Sequence, residues 1–103
     1  MQSFQPIKAS TVAVAASTSS SSGAIARQPT GSHQLRIANI GASLGRYAVG
    51  DSTVVATAAS PALPAGAVEV VTVRNNSNNP ETHVAFLTDS GTTTMEITTG
   101  HGL

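Results

Sequence analysis

Residues 67–73, AVEVVTV, are apolar on both sides of an extended chain: Val71 and Val73 share one side, Val68 and Val70 the other. β-Branched side chains at this density favour a pleated strand over a helix. Apolar groups on both sides predict a central strand, buried on each face. Working outward, residues 33–40 (HQLRIANI) alternate, with Leu35 and Ile37 opposite Gln34 and Arg36, and Gly41 closes the run. Residues 45–49 (GRYAV) put Tyr47 and Val49 together before a turn at Gly50-Asp51, and residues 53–58 predict a further short strand. The Pro-punctuated stretch 60–66 (SPALPAG) reads as a loop, because proline cannot donate to a sheet ladder.

Residues 82–88 (THVAFLT) and 93–99 (TTMEITT) predict a hairpin through Asp89-Ser90-Gly91, with Gly91 at positive φ. Between it and the AVEVVTV strand, residues 75–79 and Pro80 form a polar loop. Strands recurring at about ten-residue spacing, with Gly, Pro and Asn between them, predict an all-β fold. The expected form is a small antiparallel β-sandwich or jelly-roll-like barrel with an extended N-terminal arm.

The first third reads differently. Phe4, Pro6 and Ile7 open the chain, and Val12 and Val14 alternate with Ala13 and Ala15. Residues 17–23 (STSSSSG) are low in complexity and apolar content, which predicts flexibility. Residues 24–28 predict a short strand before the turn Pro29-Thr30-Gly31. The division expected is therefore an arm, residues 1–32, and a β-sandwich domain, residues 33–103. Residues 9–16 (ASTVAVAA) faintly resemble a signal-peptide core, but Ser10, Thr11 and the single preceding charge at Lys8 argue against that reading.

With 103 residues the chain has room for one core. Two Phe and one Tyr make that core thin, which favours oligomerising or docking on a larger surface. Lys8, Arg27, Arg36, Arg46 and Arg74 lie far apart and balance five acids, a pattern unlike that of a nucleic-acid binder. No apolar run approaches the ~18–20 residues that span a bilayer. The absence of cysteine excludes disulfides and thiolate metal sites.

Few residues could carry chemistry. Gly50-Asp51-Ser52 matches one serine-hydrolase block, yet β-branched residues follow where a helix is needed, so a tight Asp-containing turn is expected. His33, His83 and His101 show no metal-ligand spacing and read as surface or edge-strand histidines. Tyr47, the sole candidate platform for a sugar, reads as a packed residue. No catalytic residue, cofactor, metal or small-molecule substrate is expected.

Four blocks carry a resemblance: residues 35–41 (LRIANIG), 48–57 (AVGDSTVVAT), 63–73 (LPAGAVEVVTV) and 82–103 (THVAFLTDSGTTTMEITTGHGL). In this order they resemble small virion proteins of tailed bacteriophages. The resemblance implies a β-sandwich component of the particle, a head decoration or cement protein on the capsid surface, assembled in the host cytoplasm. The implied partners are the major capsid protein, sister copies in a homo-oligomer, or both, with no nucleic acid or membrane. A head–tail junction or tail position is one alternative, and a carbohydrate- or receptor-binding module another. The expected interface residues are Phe4, Ile7, Val12 and Val14, anchoring the arm to a neighbour by strand addition.

Overall fold

The computed structural model describes residues 4–29, 31–78 and 80–101. They form eight strands: β1 (Gln5–Ala16), β2 (Ser21–Ala24), β3 (Gly31–Asn39), β4 (Gly45–Gly50), β5 (Ala62–Leu63), β6 (Val68–Asn75), β7 (His83–Thr88) and β8 (Thr93–His101). One sheet has the order β1-β8-β3-β6 and the other β2-β7-β4-β5, every pair antiparallel. Pairing β1 with β8, β2 with β7, β3 with β6 and β4 with β5 is the pattern of one long hairpin rolled on itself. This is a jelly roll, the sandwich form in which two Greek keys share one core.

Alternation in the strands builds that core. Leu35, Ile37, Val73, Met95 and Ile97 point inward from the first sheet, and Tyr47, Val84 and Phe86 meet them from the second. The sheets approach closely where glycine stands inward. A Cβ on Gly23 would lie 2.5 Å from Val14 Cγ2, and one on Gly45 would lie 2.9 Å from Met95 Cε. Ala at Gly23 would press on the short, stiff Val14 side chain, whereas at Gly45 the end of the flexible Met95 side chain would have to shift.

Several expectations change. The AVEVVTV strand is β6, and it stands at the outer edge of its sheet rather than at the centre. Val68 is 50% exposed, because in an antiparallel sandwich only one face of each sheet meets the core. β7 and β8 do not pair as a hairpin; the turn at Asp89-Ser90-Gly91 carries the chain from one sheet to the other. Gly91 does take positive φ, 71°. Residues 53–58 form no strand, and Ala62–Leu63 inside the expected loop forms β5.

The N-terminal segment is extended, as expected, and it pairs into the sandwich. Val12 to Ala16 pair in unbroken register with Ile97 to Thr93, and Ser21–Ala24 pairs with Phe86 to His83. β1 and β2 thus add one strand to each sheet. The short strand expected at 24–28 lies earlier, inside the Ser-rich stretch. Backbone pairing to β7 orders that stretch without help from apolar side chains. Thr30 of the expected turn and Asn79 of the expected polar loop lie outside the described residues.

Candidate functional site

The rolled topology gathers His33, Asp51, Glu81, His83 and His101 at one end of the sandwich. There β3 and β7 begin, at Gly31 and His83, and β4 and β8 finish, next to Asp51 and at His101. Val49, Gly50, Asp51, Val54, Pro80 and Glu81 line an open cleft of about 310 Å³ at this end. Among the described residues, no three His, Cys, Asp or Glu side chains converge as a metal-binding group.

Local geometry engages most of these groups in structural roles. Asp51 Oδ1 accepts hydrogen bonds from the Thr53 backbone N–H at 2.9 Å and from Thr53 Oγ1 at 2.6 Å. These bonds hold its carboxyl below the usual carboxylate range. The Gly50-Asp51-Ser52 match is therefore a side-chain-capped turn, closed by Val54 N–H to the Asp51 carbonyl at 3.1 Å. Thr82 Oγ1 lies 2.8 Å from His83 Nδ1. Glu81 Oε1 accepts from the Arg74 N–H at 2.7 Å, and the Glu81 N–H donates to the Arg74 carbonyl at 2.9 Å.

His33 departs from expectation. It is an inward residue of β3, 1% exposed, and among the described residues neither ring nitrogen has a hydrogen-bond partner. Burial lowers its pKa, His101 adds to that, and the Gly31 backbone and the Glu81 charge oppose it. An imidazole in this position is held neutral. A surface reading failed here because His33 occupies the inward phase of the strand set by Leu35 and Ile37.

Tyr47 is packed, at 7% exposure, and its hydroxyl donates to Glu69 Oε1 at 2.6 Å across the two sheets. Burial first, then this bond and the Glu69 charge, push the phenol up to about 12. A ring so placed presents no face to a sugar. Asn39 went unread in the sequence. Its side chain donates to the carbonyls of Ser43 and Leu63 and accepts from Thr93 Oγ1 and the Gly41 N–H. A strand Asn flanked by apolar residues was the available signal, since strands disfavour Asn unless it serves such a junction.

The remaining surfaces are backbone and small side chains. On the second sheet, outward-facing Ala85 is 0% exposed, and the connector after β4 contributes Ala56 at 3%. Ala56 N–H donates to Ser20 Oγ at 3.0 Å, carrying that connector past β7 to the margin of β2. Arg46 ties it down by donating to the Ser60 carbonyl while forking onto Asp89 at 2.9 and 3.1 Å. The first sheet's outer face has Thr11, Ala13 and Ala15 on β1, Thr94, Glu96 and Thr98 on β8, Gln34, Arg36 and Ala38 on β3, and Val68, Val70 and Thr72 on β6.

The four expected interface residues fall within the chain's own sandwich. Val14 belongs to the core at 8% exposure, and Val12 packs against it. The Phe4 ring lies over Gly100, where a Cβ would come within 2.5 Å of it. Ile7 is half-buried, and its carbonyl accepts from Ser10 Oγ at 2.7 Å. Of the four, only Val14 is buried; Phe4, Ile7 and Val12 keep part of their apolar surface exposed.

The chain matches no protein-family model and no curated protein. Among solved structures it is similar to the coat protein of Tobacco streak virus, with 11% identity and a TM-score of 0.46. That alignment covers 94% of this chain and 92% of that one. At that score and identity the likeness adds nothing to the fold described above.

Proposed function

We propose that this chain is a structural component of a virion, a decoration or cement protein that binds the phage head and stabilises it through its β domain. One observation carries the reading. Asp51 and Tyr47 are engaged in a turn and an inter-sheet bond, whereas the first sheet offers an outer face of Ala, Thr and Val mixed with Gln34, Arg36 and Glu96 and, at β6, a regular strand edge. Such a surface suits close backbone approach and strand pairing. Jelly rolls serve viral capsids, lectins and cupins alike, so the fold is an analogy here and not the argument. Many weak contacts repeated around a closed shell would give firm attachment through avidity. The partners under this reading are the major capsid protein, sister copies, or both, on the outer surface of a head assembled in the host cytoplasm.

The test is quantitative. Particles purified by density gradient from the source of this chain are analysed for its copy number per shell. The expected result is a fixed, symmetric stoichiometry, with heat resistance of the shell falling when the chain is stripped and returning when it is added back. A copy number confined to one vertex or to tails would move the protein to the head–tail junction or tail. Absence from particles would overturn the reading.

A further inference from the structure

The four edge strands of this sandwich are not equally protected. β5 has two residues between Pro61 and Pro64, and β2 has four. β1 is long, but Ile7, Lys8, Ala9 and Ser10 all stand opposite Thr99, and Ala9 there takes φ 59°. Bulge, lysine and proline are the devices that discourage strand addition. β6 has none of them. Its eight residues run in unbroken register against β3, from Val68 opposite Ala38 to Asn75 opposite Gly31.

Hydrogen-bond phase says which groups of β6 are open. The Asn39 N–H donates to the Ala67 carbonyl at 3.0 Å, so that pair faces inward across the ladder. In an antiparallel ladder the bonding direction alternates residue by residue. Glu69, Val71 and Val73 therefore bond to β3, and Val68, Val70, Thr72 and Arg74 direct their N–H and C=O groups away from it. Arg74 is already closed by Glu81. Before Val68, the turn bonds from Ala67 to the Pro64 carbonyl and from Gly66 to the Asn39 carbonyl end the edge. Among the described residues the open window is Val68, Val70 and Thr72, three donors and three acceptors disposed symmetrically about Val70.

We infer that β6 pairs with β6 of a second copy of this chain, antiparallel, with Val70 on the two-fold axis. A strand edge whose open groups are symmetric about one residue is its own complement under a two-fold rotation, and such an isologous contact closes after two copies. Val70 meets its counterpart, and Val68 of each copy meets Thr72 of the other. The first sheets join into one eight-stranded sheet. Its outer face then carries four valines together, which covers the half-exposed Val68. The contact is one short strand pair, smaller than the ~1,000 Å² of a stable interface, so association is expected to be weak and concentration-dependent in free solution. The inference rests on the edge itself and holds whether or not the chain belongs to a virion.

The experiment is amide hydrogen exchange by NMR on the full chain from about 0.02 to 2 mM, with sedimentation velocity alongside. Protection of Val68, Val70 and Thr72 is expected to rise with concentration, while Glu69, Val71 and Val73 stay protected throughout. Val70→Pro removes an outward donor without touching the β3 ladder and is expected to abolish association. Thr72→Lys, an exposed change that leaves the backbone alone, is expected to weaken association about tenfold. Three results would overturn the inference: a monomer at every concentration, concentration-dependent protection at Thr11, Ala13 and Ala15 of β1 instead, or association indifferent to Thr72→Lys.

Discussion

β1 and β6 bound the same sheet, yet they reached its edges from opposite expectations. β1 read as a loose arm and became a twelve-residue strand; β6 read as the buried centre and became a margin. Apolar content did not decide position. β1 is held by small inward residues, Val12, Val14 and Ala16, and by a bulge whose polar groups are satisfied in cis: Ser10, 1% exposed, donates toward the carbonyls of Ile7 and Thr99 at 2.7 and 3.1 Å. β6 buries Val73 and leaves Val68 in solvent. Two edges of one sheet can thus be opposite in kind, one closed by irregularity and one open through regularity.

The largest effect that could break this comparison lies on β8, which joins the two halves. Ile97 faces both Val12 of β1 and Ile37 of β3, and it is 1% exposed. Ile97→Ala is expected to lower unfolding free energy in urea by about 2–5 kcal/mol. A loss under 1 kcal/mol would mean that the layers do not pack as described. Next comes the bulge: Ser10→Ala leaves two carbonyls short of a donor and is expected to cost about 1–2 kcal/mol. If it proves neutral, β1 is not fixed by its bulge and the arm reading revives.

A graded effect belongs to His33, which pairs with Val73 beside the open edge. Its folded pKa lies below the unfolded value of 6.5, so the unfolded chain binds the extra proton first as pH falls. Stability is expected to be full above pH 6.5 and to decline as pH falls below it, against the opposing pull of the Gly31 backbone and Glu81 and with the support of His101. His33→Phe should flatten that slope in thermal melts; an unchanged slope would mean that His33 does not carry it. Smallest is Thr72→Ala on the exposed face of β6, expected to stay within about 0.5 kcal/mol in the monomer. A larger loss at micromolar concentration would show that β6 is buried after all.

Much of the architecture was written in local pattern. Alternation around Leu35 and Ile37, around Tyr47 and Val49, and around Met95 and Ile97 places three strands and their inward faces. Asp51 and Gly91 mark turns by their own chemistry. The Asn39 junction escaped because it is defined by groups far away in sequence, Leu63 and Thr93, whereas the burial of His33 was there to be read in its shared phase with Leu35 and Ile37.

By itself the sequence determined which segments extend, which side of most strands is apolar, and that no cysteine or charge cluster directs the fold. Period-two alternation and turn chemistry are local, so they survive without knowledge of neighbours. Only the tertiary structure decided that the Ser-rich stretch becomes β2, that β7 and β8 part into different sheets, and that β6 lies outermost. Strand order depends on which backbone groups find partners across the roll. Every non-proline residue carries the same donor and acceptor, so side-chain identity leaves that choice open.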